Sequence, residues 1–310
     1  MSSPGDRRAE GAPEFAQPSR QGATSTSGVF PVAAAAVADL SQELIAWFKP
    51  ALSYVVALSG GVDSAVVAKA AKLSGVSASA ATARSPSVSA VELSDVRRLV
   101  DQLQIPHEFI DTREVLDANY RVNDARRCYY CKSTLFSAVR SRFSDAIILT
   151  GTNWDDLGDY RPGLTAAQEA SVQSPLVDLQ IGKQQVRQLA EFWQLHVAEK
   201  PASPCLASRI AHGVPVTETR LAMVEQAEGF LRGLGLTEFR VRLHADEVAR
   251  LEVAPSAISW LASPEISQQI TAALKSMGFR FVTLDLEGFR SGSLNPVFQI
   301  DNVNSGTRSR

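Results

Sequence analysis

The chain has 310 residues, of which 45% are hydrophobic and 21% are charged, and its formal net charge is −2. This composition is typical of a soluble globular protein, and the length predicts about two domains. The small negative charge argues against a generally basic nucleic-acid-binding protein, and no apolar run reaches the ~18 residues of a membrane span. We therefore expect neither a nucleic-acid partner nor a membrane partner.

The N-terminal residues 1–29 are rich in small and polar residues and lack the apolar core of a signal peptide. We predict that they form a disordered tail and that the protein is cytoplasmic. The next segment, 31–49, has apolar residues at helical spacing and is followed by Pro50, which predicts a helix. The three cysteines are an odd number in a chain without an export signal, which favours reactive or metal-binding thiols over disulfides.

The stretch YVVALSGGVDSA, residues 54–65, predicts a buried strand, a glycine turn and the start of a helix. Glycines at the turn permit backbone angles that a Cβ would forbid, and they let a ligand approach the backbone. A helix N-terminus favours an anion such as phosphate. The predicted phosphate-binding residues of this loop are Ser59, Gly60, Gly61, Asp63 and Ser64.

The spacing in this loop matches neither a Walker A motif nor a dinucleotide-binding fingerprint. The pattern Ser-Gly-Gly-x-Asp-Ser after a strand resembles the PP-loop of ATP pyrophosphatases, which cleave ATP between its α and β phosphates. The resemblance implies that the loop holds the pyrophosphate part of ATP. The alternative is a tight strand-to-helix turn capped by a serine.

Strands and helices alternate in the region that follows. We predict strands at 77–82, 107–110 and 146–150, and helices at 90–103 and 183–193. This alternation implies right-handed crossovers and a parallel sheet, so the fold class is α/β. Arg84 and Ser85 follow the second strand, at the sheet edge where ligands of open α/β sheets bind. We expect both to border the nucleotide, and a plain loop before a helix is the alternative.

The pattern changes near residue 216. We predict helices at 218–234 and 266–277 and strands at 238–244, 248–253 and 279–284. This order indicates a small α+β domain, with a role in substrate binding or oligomerisation. The predicted organisation is a tail at 1–29, a nucleotide-binding domain at 30–215, the α+β domain at 216–296 and a polar tail at 297–310.

Two of the cysteines stand three residues apart in RCYYCK, as Cys128 and Cys131. At a turn or a helix start they can point the same way and bind one metal or cluster, although a single CxxC also suits a redox pair or two buried thiols. Cys205 lies in KPASPCLASR, where prolines fix the backbone and Arg209 favours a thiolate. Three cysteines suit a 4Fe–4S cluster with one iron unligated by protein, whereas zinc needs a fourth ligand, such as His212.

The segment GTNWDDLGDYRPG, residues 151–163, places several carboxylates and an arginine after a strand. Magnesium on the phosphates of ATP needs one or two carboxylates, and Asp156 is the candidate ligand. The alternative is a solvated acidic loop.

These motifs, together with PASPCLASRI and GFRSGSLNP, resemble the LarE family, in the family's order and from about residue 40 to residue 296. Its members are ATP-dependent sulfur transferases of nickel-pincer nucleotide synthesis, which serves the cofactor of lactate racemase. They adenylate a carboxylate of pyridinium-3,5-biscarboxylic acid mononucleotide and convert it to a thiocarboxylate. The resemblance implies that ATP and Mg²⁺ are used, that the substrate is a small nucleotide, and that the protein is a homo-oligomer, a trimer or a hexamer.

The resemblance also implies roles for particular residues. One branch of the family sacrifices the sulfur of a single cysteine, whose position matches Cys205, and another has two further cysteines and is similar to cluster-bearing tRNA thiolases. Because this chain has Cys128 and Cys131, we expect sulfide to be delivered by a 4Fe–4S cluster on the three cysteines rather than by a sacrificed Cys205. Catalytic roles are expected for Cys205 and Asp63.

Arginines are expected to meet the phosphate and carboxylates of this substrate. Arg209 follows Cys205 by about one helical turn, and Arg240 and Arg242 share one face of a predicted strand. The Arg-x-Arg pattern alone is more typical of a solvated sheet face, but in the family this strand resembles the substrate-phosphate binder.

Three alternatives to this function stay open. A PP-loop tRNA thiolase would also use a cluster, but it would bind tRNA tightly. An amide synthase similar to NAD or GMP synthetases would need none of the cysteines. A non-catalytic iron–sulfur or metal carrier would release no pyrophosphate from ATP.

Overall fold

The structure is a computed structural model that describes residues 30–158 and 161–290. The two predicted tails, 1–29 and 297–310, lie outside these residues, as does most of the motif GFRSGSLNP. Among the helices of the described ranges, none is both long enough and apolar enough to cross a membrane.

The first part of the chain builds a four-stranded sheet in the order β3-β2-β1-β4, in which every neighbouring pair is parallel. Its elements are α1 (Phe30–Ala46), β1 (Ser53–Ala57), α2 (Val62–Leu73), β2 (Ser77–Arg84), α3 (Ala90–Leu103), β3 (His107–Asp111), α4 (Ala118–Arg121), α5 (Arg127–Arg142), β4 (Ile147–Leu149), α6 (Pro162–Glu169), α7 (Pro175–Asp178) and α8 (Lys183–Phe192). The predicted α/β fold with a parallel sheet is confirmed.

Side chains of β1 alternate between the two faces of this sheet, as a period of two requires. Val56 packs with Val66 of α2 and Leu189 of α8 in one buried cluster. Val55 packs with Phe136 of α5 in another cluster. Because helices cover both faces, the carboxyl ends of the strands are left as the open edge of the sheet.

The second part of the chain builds a three-stranded sheet in the order β5-β6-β7. Its elements are α9 (Glu218–Gly233), β5 (Phe239–His244), β6 (Val248–Val253), α10 (Ile258–Leu261), α11 (Pro264–Ser276) and β7 (Phe281–Leu284). The β5 and β6 strands are antiparallel, and β6 and β7 are parallel. This small α+β unit is the one that the sequence predicts, but its core also includes Tyr120 and Leu206 from earlier in the chain. The boundary at 215/216 stays a prediction.

Candidate active site

One cavity of about 660 Å³ lies at the carboxyl edge of the parallel sheet, and the second unit forms part of its wall. This volume is typical of small-molecule sites, and the position follows the rule for open α/β sheets. Residues that follow each of the four strands line the cavity, and they include Ser59, Asp63, Ser64, Ser85, Ser87, Thr112, Glu114, Gly151 and Thr152. The second unit contributes Glu228 and Arg232 from α9.

The loop between β1 and α2 has the form expected of a phosphate-binding turn. Gly60 has a φ of +80°, and Gly61 is the N-cap of α2. Ser64 Oγ accepts from the backbone N–H of Ser59 at 3.2 Å and donates to the carbonyl of Gly61 at 3.1 Å. Since the first turn of a helix lacks intrahelical partners for its N–H groups, an anion in the cavity is stabilised beside this loop.

Gly151 lets the segment after β4 approach the start of α2 very closely. A Cβ at Gly151 would lie 2.4 Å from the backbone nitrogen of Ser64 and 2.7 Å from the carbonyl carbon of Asp63. Both are backbone atoms, which cannot rotate away as a flexible side chain can. Only glycine therefore fits here without moving α2.

Asp63 links three parts of the first unit. Its Oδ1 accepts from Asn153 Nδ2 at 3.1 Å, and its Oδ2 pairs with Lys183 Nζ of α8 at 2.5 Å. The sequence analysis did not identify Lys183, because a lysine at the start of a helix does not indicate that it pairs with Asp63. The pair puts a positive charge next to the predicted phosphate loop.

The carboxylate of Asp156 lines the cavity, as a magnesium ligand must, but it already has partners. Its Oδ1 pairs with Arg161 Nη1 at 2.8 Å, and its Oδ2 accepts from the N–H of Asn153 at 3.1 Å. The neighbouring Asp155 accepts from the N–H of Lys183 at 2.7 Å. These carboxylates therefore have partners within the protein, and the magnesium role of Asp156 stays a prediction.

Ser85 lines the cavity, whereas Arg84 does not. The exposed Arg84 makes a two-pronged ion pair with Asp111, at 2.5 and 2.9 Å. The hydrogen bond with Asp111 raises the pKa of Arg84, and it lowers the pKa of Asp111 against a small opposing effect of desolvation. The structure thus brings Ser85, but not Arg84, to the predicted nucleotide site.

All three cysteines line the cavity, although they come from two distant segments. Cys128 and Cys131 lie in the first turns of α5, and Cys205 precedes the short 3₁₀ turn Leu206–Arg209. No disulfide joins them, and the side chains of Cys128 and Cys205 are exposed. His212, the candidate fourth zinc ligand, is exposed and does not line the cavity.

Cys131 differs from the other two because it is partly buried. Desolvation, followed by the charges of Glu114 and Cys205, raises the pKa of Cys131 to about 12. The thiol therefore stays protonated near neutral pH. Within residues 30–158 and 161–290, no group of three or more His, Cys, Asp or Glu side chains is arranged to hold a metal ion.

Arg209 lines the cavity but is buried and fully engaged. Its Nε and Nη2 pair with the two carboxylate oxygens of Glu228 at 3.0 and 3.3 Å. Its Nη1 donates to the carbonyls of Pro204 and Cys205. Arg209 therefore shapes the turn that carries Cys205, and Glu228, which the sequence analysis did not identify, holds Arg209.

The structure does not bring Arg240 and Arg242 into the lining of the cavity. Arg242 is buried, pairs with Glu252 at 2.9 Å and donates to the carbonyl of Ser208 at 3.2 Å. Arg240 stacks on the ring of Phe289 at 5.1 Å. Arg242 thus supports the Cys205 turn from behind, and the substrate-binding role of both arginines stays a prediction.

Other cations line the cavity instead, and the sequence analysis did not identify them. They are Arg127, Lys132, Arg161 and Arg232. Arg127 is held by Asn123 Oδ1 at 2.6 Å and by the carbonyl of Ala207 at 2.8 Å, so it joins α5 to the Cys205 turn. Arg232 is exposed and lies over the ring of Phe239, 5.7 Å from its centroid.

A parallel sheet with an anion-binding loop and a ligand-sized cavity at its carboxyl edge defines a nucleotide-binding α/β protein of the PP-loop class. No protein-family model matches the chain. The chain is 34% identical over 266 residues to the pyridinium-3,5-bisthiocarboxylic acid mononucleotide synthase of Lactiplantibacillus plantarum. The matched region covers 84% of this chain and 95% of the relative. The chain is 41% identical over 247 residues to an uncharacterised protein of Synechocystis sp., which covers 78% of this chain and 92% of the relative.

The chain belongs to the LarE family, the family of the Lactiplantibacillus synthase. The resemblance seen in its motifs is therefore confirmed. Because that relative is a synthase and nearly its whole length is matched, membership implies that this chain is an enzyme.

Proposed function

We propose that the protein is an ATP-dependent sulfur transferase that acts on pyridinium-3,5-biscarboxylic acid mononucleotide. It adenylates a carboxylate of this substrate and converts it to a thiocarboxylate, for synthesis of the nickel-pincer cofactor. The observation that carries the proposal is that the phosphate-type loop and all three cysteines line one cavity. A single carboxyl carbon in this space can be activated by ATP on one side and attacked by sulfur on the other.

In the first step, a carboxylate oxygen of the substrate attacks the α-phosphorus of ATP, and pyrophosphate leaves with the electrons of the broken P–O bond. The free N–H groups at the N-terminus of α2 stabilise the charge that develops on the departing phosphates. Lys183, beside Asp63, adds a cation at the same place. The product is an acyl-adenylate, in which AMP has replaced a very poor leaving group.

In the second step, a sulfur nucleophile attacks the acyl carbon, and AMP leaves. Cys205 is exposed to the cavity on a turn that Arg209 and Arg242 fix, so its thiol is held in place without being blocked. If Cys205 itself is the nucleophile, a thioester forms. Loss of the Cys205 α-proton to a base then breaks the Cβ–S bond, which releases the thiocarboxylate and leaves dehydroalanine in the chain.

We propose instead that Cys128, Cys131 and Cys205 hold a 4Fe–4S cluster and that Cys205 survives turnover. Three free thiols that face one cavity from two segments suit a cluster, whose thiolate ligands bind separate irons, better than they suit one ion. When bound, such a cluster supplies an iron without a protein ligand at which sulfide is carried. Because burial raises the pKa of Cys131, its thiol must release a proton when the metal binds.

The remaining parts of the proposal concern ligands and assembly. Asp156 would hold Mg²⁺ together with phosphate oxygens of ATP, exchanging its pairing with Arg161 for the metal. The expected partner is the small nucleotide and not RNA, and the expected assembly is a homo-oligomer. Light scattering after size exclusion measures that assembly, and a gel shift with tRNA tests the thiolase alternative.

The decisive experiment uses anaerobically purified protein with ATP, Mg²⁺, sulfide and the biscarboxylate substrate. Pyrophosphate release and a product mass that has gained sulfur for oxygen would support the sulfur-transferase function. About four iron and four acid-labile sulfide per chain, lost in Cys128→Ser, would support the cluster. The chain mass after turnover separates the two sulfur sources, because a loss of one H₂S at Cys205 means that Cys205 is consumed. Release of pyrophosphate without the substrate, or no product at all, would refute the proposal.

A further inference from the structure

Glu114 is a buried carboxylate at the cavity that the proposed reaction does not yet use. Its side chain is only 2% exposed, and it begins the short 3₁₀ turn Glu114–Leu116 that follows β3 at the edge of the sheet. Its Oε1 accepts from Ser87 Oγ at 3.0 Å, and Ser87 Oγ lies 2.6 Å from the hydroxyl of Tyr120. Since the single proton of Ser87 goes to Glu114, Tyr120 donates to Ser87, and this short chain of hydrogen bonds ends at the carboxylate.

The other carboxylates that line the cavity in the described part of the chain each have a cationic partner. These pairs are Asp63 with Lys183, Glu92 with Lys200, Asp156 with Arg161 and Glu228 with Arg209. In the described part of the chain, Glu114 forms no ion pair, and its hydrogen bond is the one from Ser87. A buried charge is costly unless it is paired, so a carboxylate kept here indicates a cationic partner that comes with a ligand.

The second oxygen of Glu114 is open to such a ligand. Oε2 has no hydrogen bond within the described ranges. It is not fully buried either, so a ligand can reach it. Because Glu114 lines the cavity, Oε2 faces the space where the substrate must sit.

Glu114 also lies beside the sulfur side of the cavity. The backbone carbonyl of Ser87 accepts from the N–H of Leu206 at 2.8 Å, which ties the Glu114 network to the residue after Cys205. Ser87 therefore contacts both the carboxylate of Glu114 and the segment that carries Cys205.

The substrate of the proposed function carries one fixed cation, the pyridinium nitrogen, which is meta to both carboxyl-bearing ring carbons. Resting on that proposed function, we propose that Glu114 is the counter-charge that binds the pyridinium cation and turns the reacting carboxyl group toward Cys205. The site would then select cationic pyridinium nucleotides over neutral aromatic nucleotides of the same shape.

The test compares two ligands that differ only in this charge. One is pyridinium-3,5-biscarboxylic acid mononucleotide, and the other is its neutral C-nucleoside isostere, in which carbon replaces the ring nitrogen. Calorimetry with α,β-methylene ATP present measures both dissociation constants without turnover. We expect the wild-type protein to prefer the cation by about tenfold or more, and Glu114→Gln to bring the ratio near one.

Matched variants separate the charge of Glu114 from its structural role. Glu92→Gln removes another carboxylate that lines the same cavity. Its partner Lys200 would still pair with Asp95, which lies 3.0 Å away, so the ratio of dissociation constants should not change. Tyr120→Phe removes the far end of the hydrogen-bond chain and should also keep the ratio. Glu114→Asp keeps the charge but moves it back by one methylene group, so its ratio of dissociation constants should be intermediate. This variant also tests the inference if Glu114→Gln does not fold.

The possible results point to different conclusions. A wild-type ratio near one, or equal ratios in Glu114→Asp and Glu114→Gln, would overturn the inference and leave the sulfur-transferase function standing. If the wild-type protein bound neither ligand while it still bound the ATP analogue, the proposed function would fail, and the inference would fail with it.

Discussion

Replacing Gly151 by alanine tests how closely the nucleotide loop depends on the segment after β4. The new Cβ would meet the nitrogen of Ser64 at 2.4 Å and the Cα of Ser64 at 2.7 Å, so α2 or the end of β4 must move. Overpacking against atoms that cannot rotate away typically costs about 1–3 kcal/mol. Because the moved atoms form the start of α2 and carry Asp63, we expect ATP affinity to fall together with stability.

Urea unfolding and calorimetric titration with ATP measure the two effects of Gly151→Ala. We expect the free energy of unfolding to drop by about 1–3 kcal/mol, which lowers the melting temperature by several degrees in a chain of this size. Gly158→Ala is the matched control on the same loop, because no atom of the residues that the structure describes lies within 4 Å of its added Cβ. The reasoning would be refuted if Gly151→Ala kept the stability and the ATP affinity of the control.

Three further predictions use single residues of the structure. Arg209→Ala should cost about 3–5 kcal/mol in urea unfolding, since it leaves the buried carboxylate of Glu228 unpaired, and a loss below 1 kcal/mol would contradict this. Burial lowers the pKa of His107 below 6.5, so the unfolded chain binds more protons and stability is lost as pH falls from about 6.5 toward the folded pKa. His107→Gln should therefore make unfolding free energies at pH 7.5 and 5.5 more alike, and an unchanged difference would refute the assignment. In metal-free protein at pH 8, iodoacetamide should modify Cys128 and Cys205 before Cys131, which is partly buried and has a pKa raised to about 12. Peptide mass spectrometry measures the three rates, and equal rates would contradict this prediction.

Most of the fold could be predicted because its signals are local. The apolar run of β1 and the alternation of strands and helices place the parallel sheet, and the bounds of α3 match the prediction residue for residue. The sequence analysis did not assign the full helix α5, Arg127–Arg142, for a physical reason. Of its side chains, Phe136 and Val139 are fully buried, so the helical period of apolar residues is weak against its many polar ones.

The site could be predicted where a motif or a strand end marks its residues, and not where only a long-range contact does. The glycine turn was visible in the motif, but the pair Lys183–Asp63 joins residues that are 120 positions apart. The two-residue period placed Arg240 and Arg242 on one face of a strand, and it gave no information on whether that face meets the cavity. Gly151 did have a signal, because a glycine right after a strand often marks a close approach of two backbones.

Under the proposed function, the geometry of the cavity would let adenylation and sulfur transfer occur in sequence without release of the intermediate. The phosphate-type loop follows β1, and the loop after β2 carries Ser87, whose carbonyl holds Leu206 next to Cys205. Neighbouring strands of one sheet therefore position both the phosphate-type loop and the Cys205 turn, and the sheet sets the distance between them. The carboxyl group can then stay in place while its oxygen first attacks the α-phosphorus of ATP and its carbon is next attacked by sulfur. An acyl-adenylate that does not leave the cavity has less contact with bulk water, which is the main competitor of the sulfur nucleophile.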